Sequence, residues 1–158
     1  VGLIEGGINT NVVPDVVTLR IDRRMIPEEI PETVERDLVA QIAAVAARLP
    51  GVTVRTQRIL LARPLQPQPG HERLVSLIQR HARTVLGEDI PANGVPLYTD
   101  ARLYSAAGIP TVLYGAGPRS LLEANGHRAD EKLALEDLRK ATKVVALTLA
   151  DLLSDARD

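Results

Sequence analysis

A proline-rich segment near the middle of the chain limits its fold more than any other feature. Residues Arg63–Gly70 read RPLQPQPG, with three prolines and one glycine in eight positions. Proline has no N–H to donate, so this segment cannot continue a helix or an inner strand. The sequence therefore predicts a hinge over residues 63–70, between an N-terminal unit, 1–62, and a C-terminal unit, 71–158.

The N-terminal unit is predicted to have an α+β fold. Val1–Glu5 and the alternating segment Val16–Asp22 predict two strands. Pro31 opens a predicted helix, at a position where its missing N–H costs nothing. The apolar positions of that helix recur every three or four residues and are Val34, Leu38, Ile42, Val45 and Leu49. Val52–Ile59 alternates again and predicts a third strand, so the helix is expected to lie on an antiparallel sheet.

The C-terminal unit is predicted to be α/β. Helices are expected over His71–Leu86, Ala101–Ala107 and about Asp137–Leu153, with a buried strand over Thr111–Tyr114 that runs into the glycine-rich turn Gly115–Pro118. The side chains expected to face inward from the first and last helices are Leu74, Ile78, Ala82, Val85, Leu138, Ala141, Val145, Leu149 and Leu152.

Composition excludes several classes of function. The formal net charge is −1, from 19 basic and 20 acidic residues, and no basic tract offers a surface for nucleic acid. Cysteine is absent, which excludes disulfides and thiolate nucleophiles and is compatible with the cytoplasm, where we expect the protein. No apolar run approaches the roughly 20 residues that cross a bilayer, so no membrane span is predicted.

The three histidines differ in their surroundings. His71 and His81 lie on one predicted helix but on different faces, and both are interpreted as ordinary surface or helix-end residues. His127 lies in the loop after the last predicted strand, where ligands gather in open α/β sheets. It either caps a helix, faces water or binds a ligand. Catalytic zinc usually takes three protein ligands, so a metal site would need further ligands from outside this sequence.

Other candidate residues each have a structural and a functional interpretation. Arg23 and Arg24 follow the end of a predicted strand. Either they bind a carboxylate through two hydrogen bonds, or one of them forms a surface ion pair with Asp22 or Glu28. Asn11 either holds a turn or donates to a substrate carbonyl oxygen.

Two further pairs of residues have the same ambiguity. Thr99 and Asp100 precede a short helix, where N-capping explains them and site lining is the alternative. Gly115 and Gly117 permit a tight turn whose amides can hold an anion.

Five short motifs in order make the chain resemble the M20 family of metallopeptidases and deacylases, which includes acetylornithine deacetylase, succinyl-diaminopimelate desuccinylase and aminoacylases. Each motif resembles a family pattern, and together they span most of the chain. The motifs are Gly6-Gly7 through Asn11-Val12-Val13-Pro14, Asp22-Arg23-Arg24, Thr99-Asp100-Ala101, Gly108–Thr111 with Gly115–Pro118, and His127–Glu131.

The resemblance implies a fold and a set of roles. Residues 1–62 would be the closing part of a ferredoxin-like lid that forms a homodimer, and 71–158 the C-terminal part of a zinc-peptidase α/β catalytic domain. His127 would be a ligand in a site of two Zn²⁺ ions, or Co²⁺ or Mn²⁺. Asn11 would polarise the scissile carbonyl, Arg24 would hold the substrate carboxylate, and the Gly115–Gly117 turn would line its pocket.

The implied activity is hydrolysis of an N-acyl amino acid or small peptide with a free carboxylate, by metal-activated water. The family's other metal ligands and its general base have no counterpart here. The first residues also lie inside a predicted strand, without an initiator Met. We therefore expect a fragment that is inactive alone. The alternatives are a dimerisation or regulatory module without catalysis, and a carboxylate-binding module on the same scaffold.

Overall fold

The computed structural model describes residues 1–117 and 121–155, and these divide into two units. The first comprises Val1–Pro64 with Val95–Tyr98, and the second comprises Leu65–Gly94 with the described residues from Thr99 onward. The boundary after Pro64 lies inside the segment where the sequence predicts a hinge. The grouping of Val95–Tyr98 with the first unit departs from the predicted division, and the roles of hinge, lid and catalytic domain stay predictions.

The first unit contains one β-hairpin. Strands β1 (Leu3–Gly6) and β2 (Val17–Arg20) pair antiparallel, with Ile4 opposite Leu19. A side chain at Gly6 would place its Cβ 2.7 Å from the carbonyl oxygen of Val16, so this position needs glycine. Gly7 follows with φ 86°, a left-handed conformation that glycine adopts without strain. Both strands are shorter than the sequence predicts, and their residues are exposed.

Helix α1 (Pro31–Ala46) begins at proline as predicted, but it does not lie on a sheet. Within the described residues, α1 packs on neither strand of the hairpin. Instead the chain returns beside it, and ion pairs join Glu35 to Arg58 and Glu32 to Arg63. Both pairs are exposed, so they contribute little stability.

The third predicted strand, Val52–Ile59, is wrong. The segment forms no strand in the structure. Alternation shows that a segment can be extended, but a strand also requires a neighbour whose backbone groups complete the ladder. Such a neighbour is missing from the described part of the first unit, so the predicted helix-on-sheet sandwich is not formed there.

The second unit is helical. Its helices are α2 (His71–Leu86), α3 (Ala101–Ala106), α4 (Leu121–Ala124) and α5 (Leu135–Asp155). Helix α2 has the predicted bounds and ends at Gly87, whose φ of 77° closes it with a left-handed cap. Helices α2 and α5 pack together. Leu77 and Ala82 of α2 and Ala141 and Val144 of α5 are buried and form the apolar core of this unit.

The predicted inner face of α5 is largely wrong. Ala141 is buried as expected, but Leu138, Val145 and Leu149 are 45%, 42% and 52% exposed. The face that meets α2 carries Val144, which has no exposed surface, and Thr148. Helix α5 has two adjacent apolar stripes, and periodicity alone does not show which one a neighbour covers.

The second stripe of α5 lines an open groove of about 430 Å³ together with Tyr114, Gly115 and Ala116. The sequence predicts a buried strand over Thr111–Tyr114, yet the structure forms no strand there and leaves Leu113 42% exposed. This segment forms no strand for the same reason as Val52–Ile59. No strand that could pair with it lies beside it among the described residues.

Residues that follow the unit boundary are tied to the second unit. The buried hydroxyl of Ser105 on α3 donates a hydrogen bond to the carbonyl oxygen of Gln66, and the Gln68 side chain donates to that hydroxyl at 3.5 Å. A Cβ at Gly70 would lie 3.3 Å from the ring of Pro110. The later half of the predicted hinge is therefore fixed on α3. No helix among the described residues is both long and apolar enough to cross a bilayer.

Candidate functional site

Arg24 has the geometry of a carboxylate-binding side chain. It follows β2 and lies two residues after Asp22. The Nε of Arg24 donates to a carboxylate oxygen of Asp22 at 2.8 Å, which confirms the pairing that the sequence allowed. Within the described residues, neither terminal nitrogen of Arg24 has a hydrogen-bond partner. The side chain is 47% exposed, and its guanidinium carbon lies 5.5 Å from the centre of the Tyr98 ring.

The neighbouring Arg23 is engaged in a different way. One terminal nitrogen donates to the carbonyl oxygen of Arg24, and the other donates to the carboxylate of Glu29. The Ile26 N–H also donates to Glu29, at 2.9 Å. This backbone bond, together with Arg23 and against an opposing effect of burial, lowers the pKa of Glu29 below its usual range. Arg23 is thus used to fix the local chain, with Glu29 and not Glu28 as its partner.

Asn11 lies at the exposed tip of the hairpin. The turn there is held by Asn9, whose carbonyl oxygen accepts from the Val12 N–H at 3.3 Å and whose side chain accepts from the Thr10 N–H at 2.7 Å. The structural interpretation of Asn11 as the residue that holds the turn is therefore wrong. Its amide has no hydrogen-bond partner within the described residues and remains accessible to a ligand.

Thr99 and Asp100 precede α3 but do not cap it with their side chains. Asp100 is the N-cap residue in a right-handed helical conformation, with φ −68° and ψ −14°, and it makes no side-chain capping hydrogen bond. The carbonyl oxygens of the two residues accept from the N–H groups of Arg102 and Leu103. Both side chains are thus placed by the backbone of the helix start, and the predicted N-capping is wrong.

The glycines of the predicted turn have different surroundings. Gly115 is exposed and has open space where a Cβ would be, so sterics do not require glycine there. Gly117 has φ 137°, which other residues rarely adopt. Pro118, the last residue of this motif, lies outside the described residues. Burial raises the pKa of the Tyr114 phenol, which keeps it neutral beside the turn.

The loop that carries His127 is closed by backbone hydrogen bonds. The Lys132 N–H donates to the Ala124 carbonyl oxygen at 3.0 Å, and the Arg128 N–H donates to Asn125 at 3.0 Å. Asn125 and His127 both have left-handed backbones, with φ 55° and 65°. Non-glycine residues seldom take this conformation, and two in three positions indicate a loop whose shape is held by its contacts.

Two carboxylates stabilise the shape of this loop. Glu131 accepts from the backbone N–H of His127 at 2.9 Å, and Asp130 accepts from the side-chain amide of Asn125 at 2.9 Å. The imidazole of His127 is exposed and has no hydrogen-bond partner within the described residues. Both ring nitrogens are therefore available to a ligand, and the loop presents the imidazole without capping a helix.

The described residues do not by themselves fit a metal site of two ions. Among them, no three His, Asp or Glu side chains lie close enough together to hold a metal ion. Metal-binding histidines also usually donate their second N–H to a carboxylate or carbonyl, and His127 has no such partner there. Such a site would need further ligands, and no catalytic step through a metal is derived from these residues.

Some contacts in the structure are not predicted from the sequence. His81 is not an ordinary surface residue, because its side chain is 13% exposed and its Nε2 lies 2.6 Å from Asp151 on α5. His71 is a helix-end residue as expected, with Nδ1 2.9 Å from the carbonyl oxygen of Gln68. Tyr98 was not predicted as part of any site. The only signal for it was the rarity of aromatic residues, since the chain has three Tyr and neither Phe nor Trp.

The predicted site residues are not joined to one another by hydrogen bonds within either unit. Asn11 and Arg24 belong to the first unit, whereas Thr99, Asp100 and the later candidates belong to the second. Each is therefore a separate local arrangement in the described part of the chain. The assigned roles of these residues remain predictions.

Comparison with known proteins identifies the family. No protein with a curated description matches the chain. The sequence profile of peptidase family M20/M25/M40 matches residues 2–151. This range includes all five motifs that carry the resemblance, so the predicted relation is confirmed at the level of the family. The protein therefore belongs to peptidase family M20/M25/M40.

Proposed function

We propose that this chain is part of a metal-dependent amidohydrolase that cleaves N-acyl amino acids or small peptides with a free carboxylate. Family membership supports hydrolysis as the reaction class. The observation that carries the substrate class is Arg24. Its Nε is occupied by Asp22, while its two terminal nitrogens are available, and such a pair matches the two oxygens of a carboxylate.

The other candidates have supporting roles in the proposal. Asn11 donates its free amide to the scissile carbonyl oxygen, and the amides of Gly115 and Gly117 line the carboxylate pocket. Thr99 and Asp100 line the site. His127 supplies one imidazole to a site of two Zn²⁺, Co²⁺ or Mn²⁺ ions, and an accessible ring on a loop of fixed shape supports this role. The remaining ligands are proposed to lie outside this sequence, and residues 1–62 to form a homodimer lid.

The test is an assay of the natural gene product that carries this sequence, with N-acetyl amino acids as substrates. Replacing Arg24 by Gln removes charged hydrogen bonds worth about 1.5–3 kcal/mol, so kcat/KM should fall by about 10- to 150-fold. The loss should be much smaller for the amide of the same substrate, which lacks the carboxylate. Arg20→Gln, on the exposed strand β2, is the matched control and should change kcat/KM little.

The same assay tests His127. His127→Ala should abolish hydrolysis and lower the bound metal content, while the unfolding transition stays unchanged. If His127→Ala and Arg24→Gln leave hydrolysis intact, the proposed roles are wrong. The 158-residue chain alone is expected to hydrolyse nothing, and turnover by that chain would contradict this expectation.

The geometry of Arg24 and the lack of a metal-ligand cluster among the described residues favour a second candidate function. Because the described residues hold a carboxylate-binding arginine but no cluster of metal ligands, a carboxylate-binding module is the alternative. It predicts that the natural gene product binds an N-acyl amino acid after chelation of metals and never hydrolyses it. Hydrolysis that chelation abolishes excludes this alternative.

A further inference from the structure

Arg24 is held by two contacts of different kinds. Asp22 accepts from Nε at 2.8 Å, and the Tyr98 ring lies under the guanidinium with its centre 5.5 Å from the guanidinium carbon. Tyr98 comes from far along the sequence, yet its segment Val95–Tyr98 belongs to the same unit as Arg24. The Leu97 N–H donates to the Val95 carbonyl oxygen at 2.8 Å and gives this segment a tight local turn.

We infer that Tyr98 is a positioning residue that, with Asp22, orients the guanidinium of Arg24 for end-on binding of a substrate carboxylate. This inference rests on the role of Arg24 in the proposed function. A guanidinium can present a side edge, made of Nε and one terminal nitrogen, or an end edge, made of both terminal nitrogens. Asp22 occupies Nε, so the end edge is the one left for an incoming carboxylate.

The ring adds what Asp22 alone does not provide. An arginine side chain that is 47% exposed has many rotamers, and ordering it on binding costs free energy. A ring face attracts the cation and restricts the plane of the guanidinium, which reduces that cost before the ligand arrives. The negative charge of Asp22 partly neutralises Arg24 and weakens its attraction for a second carboxylate. Orientation of the guanidinium by the uncharged Tyr98 ring therefore matters more here than it would for an arginine without an acidic neighbour.

Arg23 shows why the assignment is specific to Arg24. Both terminal nitrogens of Arg23 are engaged, one by the Arg24 carbonyl oxygen and the other by Glu29. Both terminal nitrogens of Arg23 are therefore engaged by the protein itself, whereas those of Arg24 have no hydrogen-bond partner within the described residues.

The experiment uses NMR of the natural gene product that carries this sequence, after chelation of metals, with the Nε–Hε resonance of Arg24 as the reporter. N-acetylglycine is titrated into the wild type and into Tyr98→Leu and Tyr98→Phe. Its neutral N-methylamide is the ligand control. Tyr104→Leu removes another exposed tyrosine, 58% exposed on α3, and is the matched control variant. Superposable backbone amide spectra show that each variant is folded.

The wild type should respond to N-acetylglycine and not to its neutral amide. Tyr98→Leu should weaken the affinity for N-acetylglycine about two- to fivefold and remove the ring-current shift of the Arg24 resonance. Tyr98→Phe should keep the wild-type affinity and the wild-type shift, because the ring face and not the hydroxyl contacts the guanidinium. Tyr104→Leu should have no effect.

Three results would overturn the inference, and they differ in what else they affect. A wild type that responds normally, with Tyr98→Leu of equal affinity, removes the role of Tyr98 and leaves the proposed function standing. A wild type whose Arg24 resonance ignores N-acetylglycine removes the carboxylate role of Arg24 and the inference with it. Tyr98→Phe distinguishes positioning by the ring from a purely structural role of the tyrosine. Loss of affinity in that variant also contradicts positioning by the ring.

Discussion

Asp151 is the residue that joins the two packed helices of the second unit through polar contacts. Its carboxylate accepts from His81 at 2.6 Å and also pairs with Arg80, both on α2. The hydrogen bond from His81, together with Arg80 and against an opposing effect of burial, lowers the pKa of Asp151 below the usual aspartate value. We therefore expect the contact between α2 and α5 to weaken when Asp151 is protonated.

The sign of this dependence follows from the lowered pKa. The unfolded chain binds a proton on Asp151 more tightly than the folded chain, so the stabilisation is present above about pH 5 and is lost as the pH falls through about 3.9 and below. In urea unfolding, Asp151→Asn should lower the midpoint at pH 7, and its difference from wild type should shrink below pH 4. Asp89→Asn, which removes a carboxylate 73% exposed, is the control and should shift the midpoint little. A wild-type advantage that stays constant down to pH 3 would contradict the assignment.

At the scale of the element, helix α5 has two apolar stripes, of which one packs on α2 and the other lines the open groove. Val144 has no exposed surface against α2, whereas its neighbour Val145 is 42% exposed on the groove. The two residues have the same side chain and adjacent positions. The difference in their exposure therefore results from packing and not from helix propensity.

Truncating each valine tests this difference directly. Val144→Ala removes two buried methyl groups and leaves a cavity, so it should reduce the free energy of unfolding by about 2 kcal/mol. Val145→Ala should cost less than about 0.5 kcal/mol, and it is the matched control because its helix propensity changes equally. Chemical denaturation of both variants measures the two values. Equal costs would indicate that both faces of α5 are covered in solution.

At the scale of the whole molecule, the described residues bury little apolar surface. Few apolar side chains are buried, while most of the large hydrophobic residues, including those of the hairpin and of the groove, are exposed. Exposed apolar patches of this kind bind other surfaces and favour association. Strand edges without a neighbour add to this tendency.

The purified chain should therefore bind a hydrophobic dye and sediment as species heavier than one chain as its concentration rises. Replacing Val145 and Leu149 together by Gln should reduce dye fluorescence. Leu153→Gln changes a residue on the same helix that is 64% exposed but outside the groove, and its effect should be smaller. A monomer that binds no dye would show that these surfaces are covered by rearrangement of the chain.

Signals in the sequence were sufficient to place the start of α1 and both ends of α2, and to indicate the family. The spacing of apolar residues placed α2 over His71–Leu86, and Pro31 fixed the start of α1, because helix formation depends on contacts within about four residues. Motif spacing indicated the family that the profile over residues 2–151 confirms. Both signals are local or are carried by the order of residues along the chain.

Which surfaces meet depends on contacts between segments that are distant in sequence. Alternation at Val52–Ile59 did not produce a strand, because a strand needs a partner that lies elsewhere. Periodicity did not show that α2 would cover Val144 and leave Val145 open. Likewise the pair Arg23-Arg24 did not reveal which guanidinium was free, since that depended on Glu29 and on Tyr98, which is distant in sequence. These outcomes depend on contacts between segments, and such contacts exist only once the chain has folded.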